Sequence, residues 1–270
     1  MALRDEVRVW AVRYRAHNGL ARPAYVALPA DLGPDNNPPV PLVISPHGRG
    51  LTGKANLRFW GDLPARGRFA VISPGGHGRV LPLHSWGWEG QIRDLASMQY
   101  VAKATLPWLR VRDHSVYAMG GSMGGQETLL LVARHRRLLA GAAVFDAPAD
   151  LARRYRDFPR IRNGKRLQEL ARREVGGTPD SHPSAYARRS PITHARAIAL
   201  SGVPLQLFWS EADEVVVDQV DHSARLHRRI LRVNPEAPVT AVAGDWTHSG
   251  GMPELLPGAL RSLGLLGEGA

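Results

Sequence analysis

The chain has 270 residues, a formal net charge of +11 and no cysteine. This length suits one large α/β domain, or one domain with an inserted cap, and the composition is that of a globular rather than a disordered protein. The lack of cysteine excludes disulfides, thiolate metal sites and a cysteine nucleophile.

The sequence gives no sign of a membrane or secretion signal. The first six residues include acidic side chains, and no apolar segment of signal-peptide length follows them. No stretch reaches the roughly 18 uninterrupted apolar residues of a membrane span. We therefore expect a cytoplasmic protein without a membrane span.

Strand-like and helix-like segments alternate along the chain, which predicts a mainly parallel sheet with helices on both faces. Two N-terminal strands should pair as a hairpin, because Asn18 and Gly19 between them tolerate the positive φ of a tight turn. Short apolar runs predict six more strands, and four segments have apolar residues at helical spacing. The predicted strands are 7–15, 23–29, 41–44, 69–73, 115–119, 140–145, 204–209 and 239–242, and the predicted helices are 91–109, 123–134, 217–232 and 253–265.

Residues 150–196 break this alternation, because they are charged and lie between two predicted core strands. We interpret them as a helical cap inserted over one end of the sheet, so that residues 1–149 and 197–270 form the core. Much of the net charge lies in this cap as arginine. Either it forms an electropositive surface or it is a set of solvated helices. No nucleic-acid-binding motif accompanies it, so we expect no nucleic-acid partner.

A glycine-rich motif, GGSMGG at residues 120–125, lies between a predicted strand and a predicted helix and matches G-x-S-x-G. So tight a turn admits only small residues two before and two after the serine, which accounts for Gly120 and Gly124. The helix beginning at Met123 directs unpaired amides to the same place. The pattern predicts that Ser122 is the nucleophile of a serine hydrolase, rather than part of a phosphate-binding loop, whose spacing differs.

A second motif, His47-Gly48, follows the strand predicted at 41–44. A His-Gly pair at this position supplies an oxyanion amide in hydrolases with such a serine turn. We expect the N–H groups of Arg49 and Met123 to bind the oxyanion and the His47 ring to brace the loop. His47 and Gly48 are also candidate substrate contacts.

The serine hydroxyl needs a base, and the base needs an acid that fixes its tautomer. The chain order Ser, acid, His favours Asp213, which follows the strand predicted at 204–209 at the sheet edge where catalytic groups gather. Asp146, Glu211 and Asp218 stay as alternative acids.

The predicted base is His248, in a glycine-bounded loop after the last strand. His194, His222 and His227 fall in helical or cap segments, where ordinary structural roles fit them better. No metal-ligand spacing such as H-E-x-x-H is present, so we expect neither a metal nor a cofactor.

A long loop after the strand at 69–73 contains His77, His84, Trp86 and Trp88. The two tryptophans alternate with glycine, and two interpretations stay open for them. They form aromatic walls for an acyl or aryl group, or they pack the loop onto the cap. Arg49 and the cap arginines are candidates for pairing with a substrate carboxylate.

Together these motifs resemble the prolyl-oligopeptidase and acyl-peptide-hydrolase superfamily of α/β-hydrolases, and the bacterial carboxylesterases allied to it. The resemblance covers nearly the whole chain. It extends to residues 176–179 (GGTP), Tyr186 and residues 190–192 (SPI), ahead of the strand that carries the acid.

The resemblance implies an α/β-hydrolase fold with a mainly parallel eight-stranded sheet and a small helical cap. It also implies Ser122, Asp213 and His248 as a catalytic triad, with oxyanion amides near Arg49 and Met123.

Peptidases of that superfamily generally carry a large N-terminal β-propeller, for which these 270 residues leave no room. This difference favours a carboxylesterase that cleaves small-molecule esters through an acyl-enzyme intermediate. Two alternatives stay open. One is a serine peptidase or amidase with the same triad, and the other is a non-enzymatic basic binding protein that reuses the fold. A homo-oligomer is compatible with the sequence.

Overall fold

The computed structural model describes residues 6–75 and 85–268. Within them the chain begins with an antiparallel hairpin of strands β1 (Val7–Arg15) and β2 (Ala21–Pro29). Gly19 has a φ of +80° in the turn, and its N–H donates to Ala16 O at 2.8 Å. The hairpin therefore closes at the glycine that the sequence indicated.

Six further strands extend the hairpin into one sheet of eight. The strand order is β1-β2-β4-β3-β5-β6-β7-β8, and β2 is antiparallel to both neighbours while the pairs from β4 to β8 are parallel. This confirms the predicted mainly parallel α/β-hydrolase sheet. The added strands are β3 Val40–Ile44, β4 Ala70–Pro74, β5 Val111–Gly121, β6 Gly141–Phe145, β7 Leu205–Ser210 and β8 Val239–Gly244.

Helices connect the strands and cover both faces of the sheet. The α-helices in the described ranges are α1 Gly53–Asn56, α2 Leu63–Gly67, α3 Glu89–Thr105, α4 Met123–Arg134, α5 Leu151–Asp157, α6 Gly164–Val175, α7 Pro183–Arg189, α8 Ala195–Ala199, α9 Ser223–Val233 and α10 Met252–Ser262. Short 3₁₀ helices lie at Leu57–Phe59, Phe158–Arg160, Pro191–His194 and Gln219–Asp221. The helix predicted from residue 217 begins later, at Ser223, because a 3₁₀ turn precedes it.

The core has two halves, one on each face of the sheet. Side chains alternate between them along a strand, so that Leu42 and Ile44 of β3 enter one half and Val43 enters the other. Helices α3, α4 and α9 cover the first half, and α10 covers the second. Full burial of each such aliphatic side chain contributes roughly 1.5–3 kcal/mol, so the two cores hold the central strands firmly.

Residues 150–196 are largely helical and pack with Trp86 into a smaller apolar cluster. Hydrogen bonds from the motif residues 176–179, Tyr186 and 190–192 connect parts of this segment. Tyr186 donates its hydroxyl proton to Gly177 O at 2.9 Å, and Ser190 Oγ accepts from Leu151 N at 2.8 Å. Gly176 ends α6 with a φ of +100°. The division into core and cap at these residues stays a prediction. The cluster contains Trp86, Leu151, Phe158, Ala171, Val175 and Tyr186.

Many of the cap arginines are engaged in ion pairs. Arg153 contacts Asp157, Asp218 and Asp221 at 3.0–3.1 Å, and Arg160 also pairs with Asp218. The pairs with Asp218 and Asp221 are partly exposed and contribute little to stability individually, but they neutralise part of the net charge. Of the described residues, no helix is both long and apolar enough to span a membrane.

Candidate active site

The turn from β5 to α4 holds Ser122 in a strained backbone conformation. Its φ is +56° and its ψ is −126°, outside the regions that a side chain other than glycine prefers. Its N–H donates to Phe145 O at 2.8 Å. A Cβ at Gly120 would lie 2.7 Å from the Gly124 backbone, and one at Gly124 would lie 2.2 Å from Pro46 O. Both glycines are therefore required by close backbone contact.

The loop after β3 lies against this turn. An ideal Cβ at Gly48 would lie 3.6 Å from Ser122 Cβ. The amides of Arg49 and Met123 find no hydrogen-bond acceptor within residues 6–75 and 85–268. The two N–H groups expected to form an oxyanion hole thus have no competing partner, although their role stays a prediction.

His47 lies inside this loop. Its side chain is buried, and its Nδ1–H donates to Gly48 O at 2.9 Å. Burial lowers the pKa of His47 despite that hydrogen bond, so the ring is neutral near pH 7. Its contact is with the loop itself, and it does not line the described part of the pocket at Ser122.

Asp213 and His248 are brought together beyond the ends of β7 and β8. His248 Nδ1 donates to Asp213 Oδ2 at 2.8 Å, and the other carboxylate oxygen accepts from the amides of Val215 and Val216, each at 2.8 Å. Burial alone would raise the pKa of Asp213, but the hydrogen bond and charge of His248 and the two amides hold it below its ordinary value. Since Nδ1 carries the proton, Nε2 is left as the basic nitrogen.

The alternative acids lie elsewhere or have other partners. Asp146 follows β6 and is fully buried, and its carboxylate accepts from Ser210 N at 2.8 Å, Ser249 N at 2.9 Å and Trp246 Nε1 at 3.0 Å. Glu211 is exposed, and Asp218 pairs with the cap arginines.

The ligand atoms of Asp146, Asp213 and His248 lie within 4.8 Å of one another, the spacing of a metal site. The facing atoms of Asp213 and His248 are already hydrogen-bonded to each other. Because these two potential ligand atoms are hydrogen-bonded to each other, the geometry favours a proton-transfer pair over a metal site.

A cavity of about 140 Å³ opens beside Ser122 and His248. Its apolar lining includes Leu51, Phe59 and Met252. A cavity of about 150 Å³ in another protein accepts benzene, so this one has room for a phenyl ring or a short aliphatic group. No local sequence pattern marks these three residues, which come from a loop, a 3₁₀ helix and α10.

Neither predicted aromatic contact lines this cavity among the described residues. Trp86 is 3% exposed and packs edge-on against Phe158, with ring centroids 5.5 Å apart. Trp88 is half-exposed, and its Nε1 donates to His17 Nε2 at 3.3 Å. Trp86 therefore fits the second of the two interpretations, packing of its loop onto the helices of residues 150–196. The candidate contacts His77 and His84 lie outside the described residues.

The Arg49 side chain is engaged within the protein. Its guanidinium contacts Glu174 Oε1 at 3.0 Å and Ser85 Oγ at 2.7 Å, and it stacks on Trp86 with Cζ 4.7 Å from the ring centroid. Glu174 is on α6, and its side chain has no exposed surface. Arg49 also lines the cavity at Ser122, so its pairing with a substrate carboxylate stays a prediction, although a buried carboxylate already contacts its guanidinium.

The chain matches no protein-family model, and no curated protein matches it in sequence. Solved structures do match it. A dipeptidyl aminopeptidase IV, described as putative, from Bacteroides ovatus aligns with a TM-score of 0.70 and 15% identity over 95% of this chain and 35% of that one.

Two further structures align equally well. A puromycin-hydrolyzing peptidase from Mycobacterium tuberculosis has a TM-score of 0.69 and 21% identity, covering 95% of this chain and 38% of its own. Prolyl oligopeptidase B from Galerina marginata has a TM-score of 0.69 and 14% identity, covering 97% and 36%. This chain spans little more than a third of the length of these structures. At such identities the match shows a shared fold, and this chain has the α/β-hydrolase fold found in prolyl oligopeptidase and the peptidases that resemble it.

Proposed function

We propose that the protein is a serine hydrolase that cleaves acyl compounds through an acyl-enzyme intermediate on Ser122. One observation carries the proposal. A serine held in a strained turn shares a cavity with a histidine that is hydrogen-bonded to a buried carboxylate. Strained turns of this kind cluster at functional sites, and the partner pair is what an activated serine needs.

In the proposed reaction Ser122 Oγ attacks the substrate carbonyl and His248 Nε2 takes the hydroxyl proton. The amides of Arg49 and Met123 stabilise the oxyanion. Collapse of the tetrahedral intermediate breaks the bond to the leaving group, which receives the proton from His248. Water then attacks the acyl-enzyme by the same route and restores the serine. Asp213 keeps the Nδ1–H tautomer and stabilises the imidazolium through the 2.8 Å hydrogen bond.

Small carboxylic esters are the substrates we favour. The cavity of about 140 Å³, with its apolar lining, fits one short acyl or aryl group better than an extended peptide. The second candidate is a peptidase or amidase with the same residues. It is favoured by the likeness to structures described as peptidases, which extends over at least 95% of this chain.

The test is a panel of p-nitrophenyl esters of increasing acyl length beside aminoacyl p-nitroanilides, with wild-type protein and Ser122→Ala. We expect the short esters to be cleaved and Ser122→Ala to lose at least about 10³-fold in kcat/KM. Full activity in Ser122→Ala would refute the proposal. Anilide cleavage at rates comparable to the esters would select the peptidase. No turnover, with salt-dependent binding to a polyanion, would select the basic binding protein.

A further inference from the structure

The loop that carries His248 is fixed at two points by one buried side chain. This loop, residues 245–251, follows β8. The carboxylate of Asp146 accepts from Trp246 Nε1 at 3.0 Å and from Ser249 N at 2.9 Å. These donors lie on either side of His248 in the chain. The backbone position of His248 therefore depends on Asp146 as well as on the 2.8 Å contact of its ring with Asp213.

Asp146 is itself held firmly. It follows β6 directly, has no exposed surface, and has a φ of +48°, which is unusual for a residue with a side chain. A third donor, Ser210 N, lies 2.8 Å from Oδ1. Three N–H groups therefore converge on this carboxyl group, which suits an ionised acceptor. Burial raises the pKa of Asp146, while these three donors oppose the rise.

The indole ring of Trp246, held by Asp146, contacts the backbone near both ends of the loop. An ideal Cβ would lie 2.2 Å from the indole ring at Gly244 and 2.7 Å from it at Gly251. The ring therefore lies directly against the backbone near both ends of the loop, where a larger residue would displace it. Through Trp246, Asp146 therefore holds residues 245–251 against the end of β8.

The charge of Asp146 also reaches the imidazole. Ligand atoms of Asp146, Asp213 and His248 lie within 4.8 Å of one another. Glu214 also borders this loop, with its Oε2 3.4 Å from His248 N, and Asp245 lies within the loop. Arg154 of α5 interacts with Asp213. Two buried carboxylates thus face the ring that becomes positively charged during the proposed reaction.

We propose that Asp146 is a positioning residue for His248: it fixes the histidine loop through Trp246 and Ser249 and adds its negative charge to that of Asp213 on the imidazolium. This inference rests on the proposed serine-hydrolase function. Asp146 does not contact the reacting atoms, and Asp213 keeps its role as the partner of Nδ1.

The test uses Asp146→Asn and Trp246→Phe in the full chain. Asp146→Asn removes the charge and turns an amide N–H₂ towards N–H donors. We expect kcat for the best ester to fall about 10- to 100-fold with KM nearly unchanged. The pKa of the base in the kcat/KM profile should also move to lower pH, because a carboxylate near the imidazolium has been lost. Trp246→Phe removes one donor but keeps the aromatic packing, and we expect a smaller fall in kcat.

The matched control is Asp94→Asn. Asp94 is another buried aspartate bound to a histidine, with His17 Nδ1 at 2.9 Å, but it lies on α3 away from the cavity. The control should leave the pKa of the base unchanged even if it lowers Tm. An unchanged kcat and base pKa in folded Asp146→Asn would overturn the inference. If that variant does not fold, unchanged kcat in Trp246→Phe overturns it. If the proposed serine-hydrolase function itself is wrong, the Ser122→Ala variant will be as active as the wild-type protein, which is a separate result.

Discussion

The two sides of the cavity at Ser122 are built in different ways. On the acid–histidine side, Asp213 and His248 lie just beyond the ends of neighbouring strands β7 and β8, and local backbone amides hold the carboxylate. On the oxyanion side, the loop containing Arg49 is tied to Glu174, 125 residues further along the chain. One side is fixed by adjacent strand ends, and the other depends on an ion pair with helix α6.

The helices of residues 150–196 therefore help to position the loop that contains Arg49. Arg49 carries one of the proposed oxyanion amides, and its guanidinium is held by the fully buried carboxylate of Glu174 on α6. Through this ion pair, residues 150–196 help to hold the loop that contains Arg49. We therefore expect substitutions at the Asp213–His248 pair to impair proton transfer with little loss of stability. Substitutions that break the Arg49–Glu174 pair should lower both stability and the proposed oxyanion binding.

The largest effect is expected on the acid–histidine side. Asp213→Asn keeps the shape of the acid but allows the wrong tautomer of His248, so we expect kcat to fall by about 10³- to 10⁴-fold. Steady-state kinetics with a short p-nitrophenyl ester measures the fall, and thermal unfolding measures Tm. Near-normal kcat would remove Asp213 from the proposed triad.

The oxyanion side should respond through stability and rate together. Glu174→Gln leaves the Arg49 guanidinium without its buried charge partner, and breaking such a pair costs about 3–5 kcal/mol. We expect a clearly lower Tm and reduced kcat, with the base pKa in the pH profile unchanged. Urea unfolding and a pH–rate profile measure both.

Asp180→Asn is the control for this variant, because the Arg156–Asp180 pair is exposed on both sides and contributes little. A Glu174→Gln protein as stable and active as this control would contradict the tie between α6 and the oxyanion loop.

The smallest effect concerns substrate size. Phe59→Ala enlarges the cavity, so the preference for longer over shorter acyl chains should rise by about tenfold. The ratio of kcat/KM for octanoate and acetate esters measures it. Trp88→Ala is the control, since Trp88 does not line the described part of the cavity, and the ratio should stay the same. A shift in the control rather than in Phe59→Ala would restore Trp88 as a substrate contact.

Local and strand-end features of this chain were predictable from the sequence. Glycine spacing around Ser122 reflects backbone contact within a single turn, and short apolar runs identify buried strands. Because parallel strands end at a shared edge, the positions of Asp213 and His248 after two late strands predicted that they would lie close together.

Long-range packing was not predictable in the same way. The spacing of apolar residues along the chain does not predict the contact between Arg49 and Glu174. It also does not predict that Leu51, Phe59 and Met252 line one cavity. Trp86 and Trp88 alternate with glycine, a pattern equally suited to a binding wall and to a packed loop. For Trp86, contacts such as that with Phe158 distinguish the two.

The central claim is that Ser122 is an activated nucleophile, and covalent labelling tests it most directly. A fluorophosphonate probe added to the native protein, followed by peptide mass spectrometry, should place one adduct per chain on Ser122. The heat-unfolded protein and the Ser122→Ala variant should remain unlabelled. A native wild-type protein that takes up no probe, or carries it on another residue, would contradict the account.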